Sequence, residues 1–360
     1  MSNPRLANLN KESRENTLES LVSSAIALEK WPVARLVSMF EADPATPAEA
    51  TKAAAKRLDI LQKLKNLSPN KQAIVIGITG TPGAGKSSLI NELCLHILNT
   101  TEEISIAVVA VDPSSQQSGG ALLGDRTRVG FPHKGKNRLF FRSQANHLDL
   151  GGLGKKTFHA VRLLRRLFDI VIIETVGIGQ SEMEVCQLSD VTCLVLQPLT
   201  GDQVQFMKAG IMEVPDIFIV NKCDEDELAQ QSFHLLKSSL KLISITVDKE
   251  KNAAKPVFLT SALKQKGIAE LADFILERQK DPTIHKDQAA QEEFYLRKWI
   301  RFYYGEYGIQ VYQQYMEVRP KSLHVTERSA GGDMSFLSYE EKETAFNTMI
   351  GKMVVPLNEN

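Results

Sequence analysis

Cysteine is scarce in this 360-residue chain: there are four, Cys94, Cys186, Cys193 and Cys223, and none forms a C-x-x-C pair. That argues against a disulfide framework and fits a reducing compartment. An excess of one charge is also missing, since 43 Lys and Arg face 43 Asp and Glu. Such balance argues against a generic nucleic-acid or anionic-membrane binder, so neither is expected as a partner. No apolar run approaches the roughly 18–20 residues of a membrane span. The N-terminal stretch MSNPRLANLNKESRENTLESL has no apolar signal region, so a soluble, cytoplasmic protein is expected. Internal repeats and low-complexity tracts are absent too. What remains is ordinary globular composition, 43% hydrophobic and 24% charged, with length for two or three domains.

The texture changes twice along the chain. Residues 1–71 read as a helical extension. Apolar residues recur at helical spacing from Leu18 to Lys65, Pro32 is a break or first-turn residue, and Thr46-Pro47 supplies an N-cap and first position. Residues 72–282 alternate short apolar runs with amphipathic stretches. The runs AIVIGI (73–78), ISIAVVAV (104–111), DIVIIE (169–174), VTCLVLQ (191–197), DIFIV (216–220) and PVFLT (256–260) read as strands buried on both faces, hence a parallel sheet. The expected fold is a doubly wound, mostly parallel α/β domain of the P-loop kind, with helical extensions at both ends. Residues 283–360 form the second extension. Its segment 287–318 is aromatic-rich and helix-compatible, with Gly305 and Gly308 as weak points. The aromatics there either cover the α/β domain or make a contact between two copies.

The string Gly80-Thr81-Pro82-Gly83-Ala84-Gly85-Lys86-Ser87 matches G-x-x-x-x-G-K-[ST] between a predicted strand and a predicted helix. Glycines let backbone N–H groups turn onto phosphate oxygens, and the helix N-terminus favours anions. Lys86 is the expected ligand of the β/γ-phosphates, Ser87 of Mg²⁺, with Ser88 beside it. After the strand DIFIV comes Asn221-Lys222-Cys223-Asp224, an N-K-x-D string. The Asp224 carboxylate can accept from N1–H and N2–H of guanine, a donor pair adenine lacks. Ser261, Ala262 and Leu263 follow the next strand, as a base-side loop or a plain turn. Asp112 and Glu174 end two central strands, where an acid can hold Mg²⁺ or its waters, and the Gly177 N–H can meet a γ-phosphate. Gly119–Arg128 is glycine-rich and charged, suited to a mobile switch, although Arg126 and Arg128 also fit a solvated basic loop.

These residues bring a family into view. GITGTPGAGKSSL (77–89), VDPSS (111–115), GGALLGDRTR (119–128), DLGGLGKKT (149–157), FDIVIIETVGIGQSE (168–182) and KAGIMEVPDIFIVNKCD (208–224) resemble the MeaB/ArgK-type GTPases, G proteins of the SIMIBI class associated with methylmalonyl-CoA mutase. The resemblance is dense over 72–275. It implies GTP/GDP and Mg²⁺ as ligands, with Asp112, Asp125 and Glu174 around the metal and the attacking water. It implies base reading by Asn221, Lys222 and Asp224, and an extra switch at 198–203. It implies an adenosylcobalamin-dependent acyl-CoA mutase as partner, in a chaperone role that gates cofactor loading and protects the mutase, and a homodimer. The alternatives are an ATP-dependent kinase of an amino-acid transport system, against which N-K-C-D argues, and a GTP-binding adaptor with incidental hydrolysis. No D-x-H-x-x-G cobalamin loop occurs, and the histidines show no metal-ligand spacing.

Overall fold

A computed structural model of the chain describes residues 17–113, 136–146, 153–175, 180–198, 212, 214–246, 255–317 and 338–354. The strands are β1 (Ile74–Gly80), β2 (Ile106–Pro113), β3 (Leu139–Asn146), β4 (Ile170–Thr175), β5 (Val191–Leu196), β6 (Ile217–Val220) and β7 (Val257–Leu259). They form one sheet in the order β3-β2-β4-β1-β5-β6-β7, and all its pairings are parallel. The helices are α1 (17–26), α2 (Lys30–Phe40), α3 (Pro47–Leu67), α4 (Lys86–Thr100), α5 (Lys155–Leu164), α6 (Gln180–Leu188), α7 (Asp226–Thr246), α8 (Ile268–Gln279), α9 (Gln288–Glu317) and α10 (Tyr339–Val354).

The near-continuous apolar runs are explained by two covered faces. Ile74, Ile76 and Ile78 of β1 pack with Ile170, Ile172 and Cys193 under α4 and α8. The intervening Val75, with Val109, Val171 and Ile173, packs into the opposite layer with α5, α6 and the helices of both extensions. Over β5 and β6 that second face is closed by Ala229 and Leu236 of α7. Each strand residue therefore loses water on one side or the other, which removes the polar alternation of a half-exposed sheet.

All six expected strands are present, and a seventh, β3, is added at the sheet edge. Its sequence LFFRSQAN breaks the apolar pattern because Arg142 and Gln144 turn to Glu41 at the end of α2. In the N-terminal extension the break falls at 27–29, and Pro32 sits in the first turn of α2 rather than at the break. Thr46 caps α3 as expected: its Oγ1 accepts from Glu49 N–H at 3.2 Å, with Pro47 at the first helical position.

The two extensions meet each other over α5. Arg57 of α3, 3% exposed, donates to Glu343 of α10 at 2.5 Å. Arg162 of α5 pairs with Glu292 of α9 and Glu340 of α10, and Lys155 with Glu343 at 2.7 Å. In α9 the helix breaks at Gly305, where φ is 63°. Its aromatics divide. Tyr295, Trp299 and Tyr312 are buried, Tyr295 stacking on Phe158 of α5. Phe294, Phe302, Tyr303, Tyr304 and Tyr307 are exposed.

Candidate functional site

The site follows from the strand order. From β1 the chain crosses to β2 and β3 on one side, returns through β4 beside β1, then builds the other side from β5. The carboxyl end of β1 is therefore a topological switch point, where open α/β sheets leave a crevice. Gly80 ends β1 with φ 140°, and a Cβ there would lie 2.0 Å from the Val195 carbonyl oxygen of the neighbouring strand. Only glycine lets the chain leave the sheet this way. Gly83 and Gly85 take φ 79° and 81°, turning the loop through Pro82 and Ala84 into α4, whose N-cap is Gly85. Lys86 is 7% exposed and its Nζ donates to the Gly80 and Thr81 carbonyls at 2.9 and 3.0 Å. Thr81 is buried, and its Oγ1 has no hydrogen-bond partner among the described residues.

Ser87, at the second position of α4, donates to Glu174 Oε1 at 2.6 Å. Glu174 lies near the end of β4, is 8% exposed, and is opposite Ile78 of β1. The expected metal pair of hydroxyl and carboxylate is thus brought together from residues 87 apart. Asp112 lies at the carboxyl end of β2, opposite Ala145, with only its backbone described. Asp125, Gly177, Arg126 and Arg128, and most of the 198–203 switch, lie outside the described residues.

The base-side residues cluster where β6 and β7 end. Asn221 is buried, and its Nδ2 donates to the Ala84 carbonyl at 2.8 Å and, at 3.4 Å, to that of Gly85. Its Oδ1 accepts from Thr260 Oγ1 at 3.1 Å. Asn221 therefore ties the phosphate loop to the base-side loops. Lys222 adopts φ 63°, and its Nζ donates to Gln197 Oε1 at 3.2 Å. Cys223 is buried, and burial pushes its thiol up to about 11. Asp224 Oδ1 accepts from Ser261 Oγ at 2.5 Å, while Ser261 Oγ accepts from Lys264 N–H at 2.9 Å. Lys264 Nζ also donates to the Asp224 carbonyl at 2.6 Å. A turn with Gly267 at φ 70° presents Ala262 and Leu263, the latter 85% exposed.

Gly85, Ser88, Asn221, Lys222, Asp224 and Ser261–Leu263 line one cleft of about 420 Å³, completed by Asn91 and Glu92 of α4. Thr260 belongs to the base-side loop read from the sequence, whereas sequence reasoning did not single out Gln197, Lys264 or Glu92. Gln197 follows a strand end, which is a positional signal. Lys264 and Glu92 carry none, since the Lys264 ammonium meets the Asp224 carbonyl across 40 residues and Glu92 meets Gln265 across 173.

Residues 33–301, about three quarters of the chain, match the family model described as "Methylmalonyl Co-A mutase-associated GTPase MeaB". A "Putative GTPase" of Pyrococcus abyssi is 38% identical over 266 residues, 73% of this chain and 76% of that protein. The mouse "Methylmalonic aciduria type A homolog, mitochondrial" is 30% identical over 295 residues, 80% of this chain and 69% of its own length. Among solved structures, the "LAO/AO transport system kinase" shares the fold with TM-score 0.56 at 21% identity, covering 94% of this chain and 98% of its own. By the extent of the family match and the identity of its relatives, the chain belongs to the MeaB family and is a GTPase.

Proposed function

We propose that this GTPase serves an adenosylcobalamin-dependent acyl-CoA mutase as a chaperone, gating cofactor loading and protecting the mutase. The observation that carries this reading is the family match, which starts in α2 and ends in α9. It spans the nucleotide site and the helices packed behind it. In this reading backbone N–H groups of Gly83–Ser87 receive the phosphates at the start of α4. Lys86 needs only side-chain rotations to leave two loop carbonyls for phosphate oxygens. Asp224, oriented by Ser261, selects guanine. Ser87 and Glu174 offer two hard oxygen donors 2.6 Å apart, a fit for Mg²⁺. When bound, Mg²⁺ would neutralise developing phosphate charge. Asp112, Asp125 and Gly177 belong to the same proposed catalytic set. A cytoplasmic location and a homodimer are further parts of the proposal, the exposed aromatic face of α9 being available to a second copy.

The test is single-turnover GTP hydrolysis with and without the mutase. Acceleration by a factor of ten or more is expected, because ordering a cation onto the γ-phosphate is worth that much. A basal rate near 1 s⁻¹ that ignores the mutase would refute the chaperone reading.

A further inference from the structure

A second cavity, of about 240 Å³, lies toward the amino ends of the central strands, away from the nucleotide site at their carboxyl ends, between α3, α5, α9 and the start of α10. Its floor includes Gln72 and Leu188, which immediately precede or closely approach the amino ends of β1 and β5. The Arg165 carbonyl accepts from Ala73 N–H there at 2.9 Å. Four cations line it: Lys65, Arg162, Arg165 and Arg166.

The charges do not cancel within the cavity. Arg162 is engaged by both lining carboxylates, Glu292 and Glu340. Arg165 is paired to buried Asp190 at 2.5 Å. Arg166 and Lys65 have no carboxylate within ion-pair distance among the described residues; Arg166 NH1 reaches only the Lys71 carbonyl, at 3.4 Å. Burial, and then the adjacent Arg165 and Arg162, hold the Arg166 guanidinium below its usual value. Two donors on the wall are also unused. Arg165 Nε and Gln291 Nε2 have no hydrogen-bond partner among the described residues, and the two residues are 6% and 7% exposed. A buried donor left unpaired costs about 1–3 kcal/mol.

We propose that this cavity binds a small phosphate monoester, its phosphoryl group facing Arg166 and Lys65 and its remainder the amide-lined wall. The Arg166 fork, from the turn after α5, and the Lys65 ammonium of α3 offer more donors than one carboxylate accepts, and suit a tetrahedral dianion. A ligand there would clamp both extensions to the G domain.

The test is thermal unfolding of the full chain saturated with GDP, which keeps the phosphate loop occupied. Inorganic phosphate, glycerol 3-phosphate and succinate are titrated at constant ionic strength. Phosphate and glycerol 3-phosphate are expected to raise Tm by about 2–4 °C with saturation in the millimolar range. Arg166→Gln and Lys65→Gln, both on accessible side chains, should each remove at least half of that shift and keep the GDP-induced shift. An unchanged phosphate shift in the double variant would overturn the proposal. So would a shift no larger than that of chloride, or an equal response to succinate.

Discussion

Asp224→Asn is expected to reverse the base preference rather than simply weaken binding. In the folded chain the Ser261 hydroxyl is oriented from behind: its oxygen accepts from Lys264 N–H, so its proton is committed to Asp224 Oδ1. An asparagine in that place would keep Oδ1 on Ser261 and turn Nδ2 into the cleft. Guanine N1–H and N2–H would then meet a donor instead of a carboxylate. Charge-assisted hydrogen bonds contribute about 1.5–3 kcal/mol each. Losing most of two corresponds to a fall in GDP affinity of about 10²–10³-fold. Xanthine carries a carbonyl where guanine carries the 2-amino group, so xanthosine diphosphate should gain where GDP loses. Titration calorimetry of the wild type and Asp224→Asn with GDP, XDP and ADP reads all three. Unchanged GDP affinity in the variant, or equal GDP and ADP affinity in the wild type, would refute the assignment of Asp224.

Asn221→Ala should lower Tm by about 4–8 °C and weaken GDP and XDP alike, since it unties the phosphate loop from Thr260 rather than touching one base group; thermal melts and calorimetry check both. Gly80→Ala should yield no soluble folded protein, its Cβ meeting the Val195 carbonyl at 2.0 Å, a cost above about 4 kcal/mol; the soluble fraction after expression reports it. His159 is fully enclosed, and burial followed by nearby Arg57, Lys155 and Arg162 holds its pKa well below 6.5. A depressed imidazole contributes stability that is complete above the unfolded pKa and is lost as pH falls below about 6.5, by up to ~1.4 kcal/mol per pH unit. Urea melts from pH 7.5 to 5 should show that slope, and His159→Phe, in contact with the rings of Phe158 and Tyr339, should flatten it.

Local chemistry was legible in the sequence; long-range contacts were not. The phosphate loop declares itself because the turn demands glycine at Gly80, Gly83 and Gly85, whose φ values are all positive. Strands buried on both faces leave continuous apolar runs, so six of them could be marked without knowledge of their neighbours. Strand β3 escaped because its polar residues are satisfied by Glu41, about a hundred positions away in sequence. Asn221 shows the same limit inside the site. Its place in an N-K-x-D string suggests the base, while its amide group is spent on the Ala84 carbonyl and Thr260. The aromatic segment could not be apportioned either. Whether Tyr295 or Tyr303 is buried depends on where Phe158 stands and on the break at Gly305.

The ion pair between Arg57 and Glu343 spans 286 residues of chain, and this imposes an order on folding as the chain is made. When α3 leaves the ribosome its guanidinium has no carboxylate to meet, and burying it alone would cost several kcal/mol. The first extension therefore cannot settle into its final place on α5 until α10 has emerged. The phosphate loop waits as well, because β1 is flanked by β4 and β5, which begin 90 and 111 residues after it ends. Contacts this distant in sequence make for slow folding. A nascent chain that stops short of residue 339 would hold every strand and the whole nucleotide cleft, yet leave Arg57 and Lys155 without Glu343 and the apolar surface under α10 uncovered, a natural client for the cell's own folding machinery.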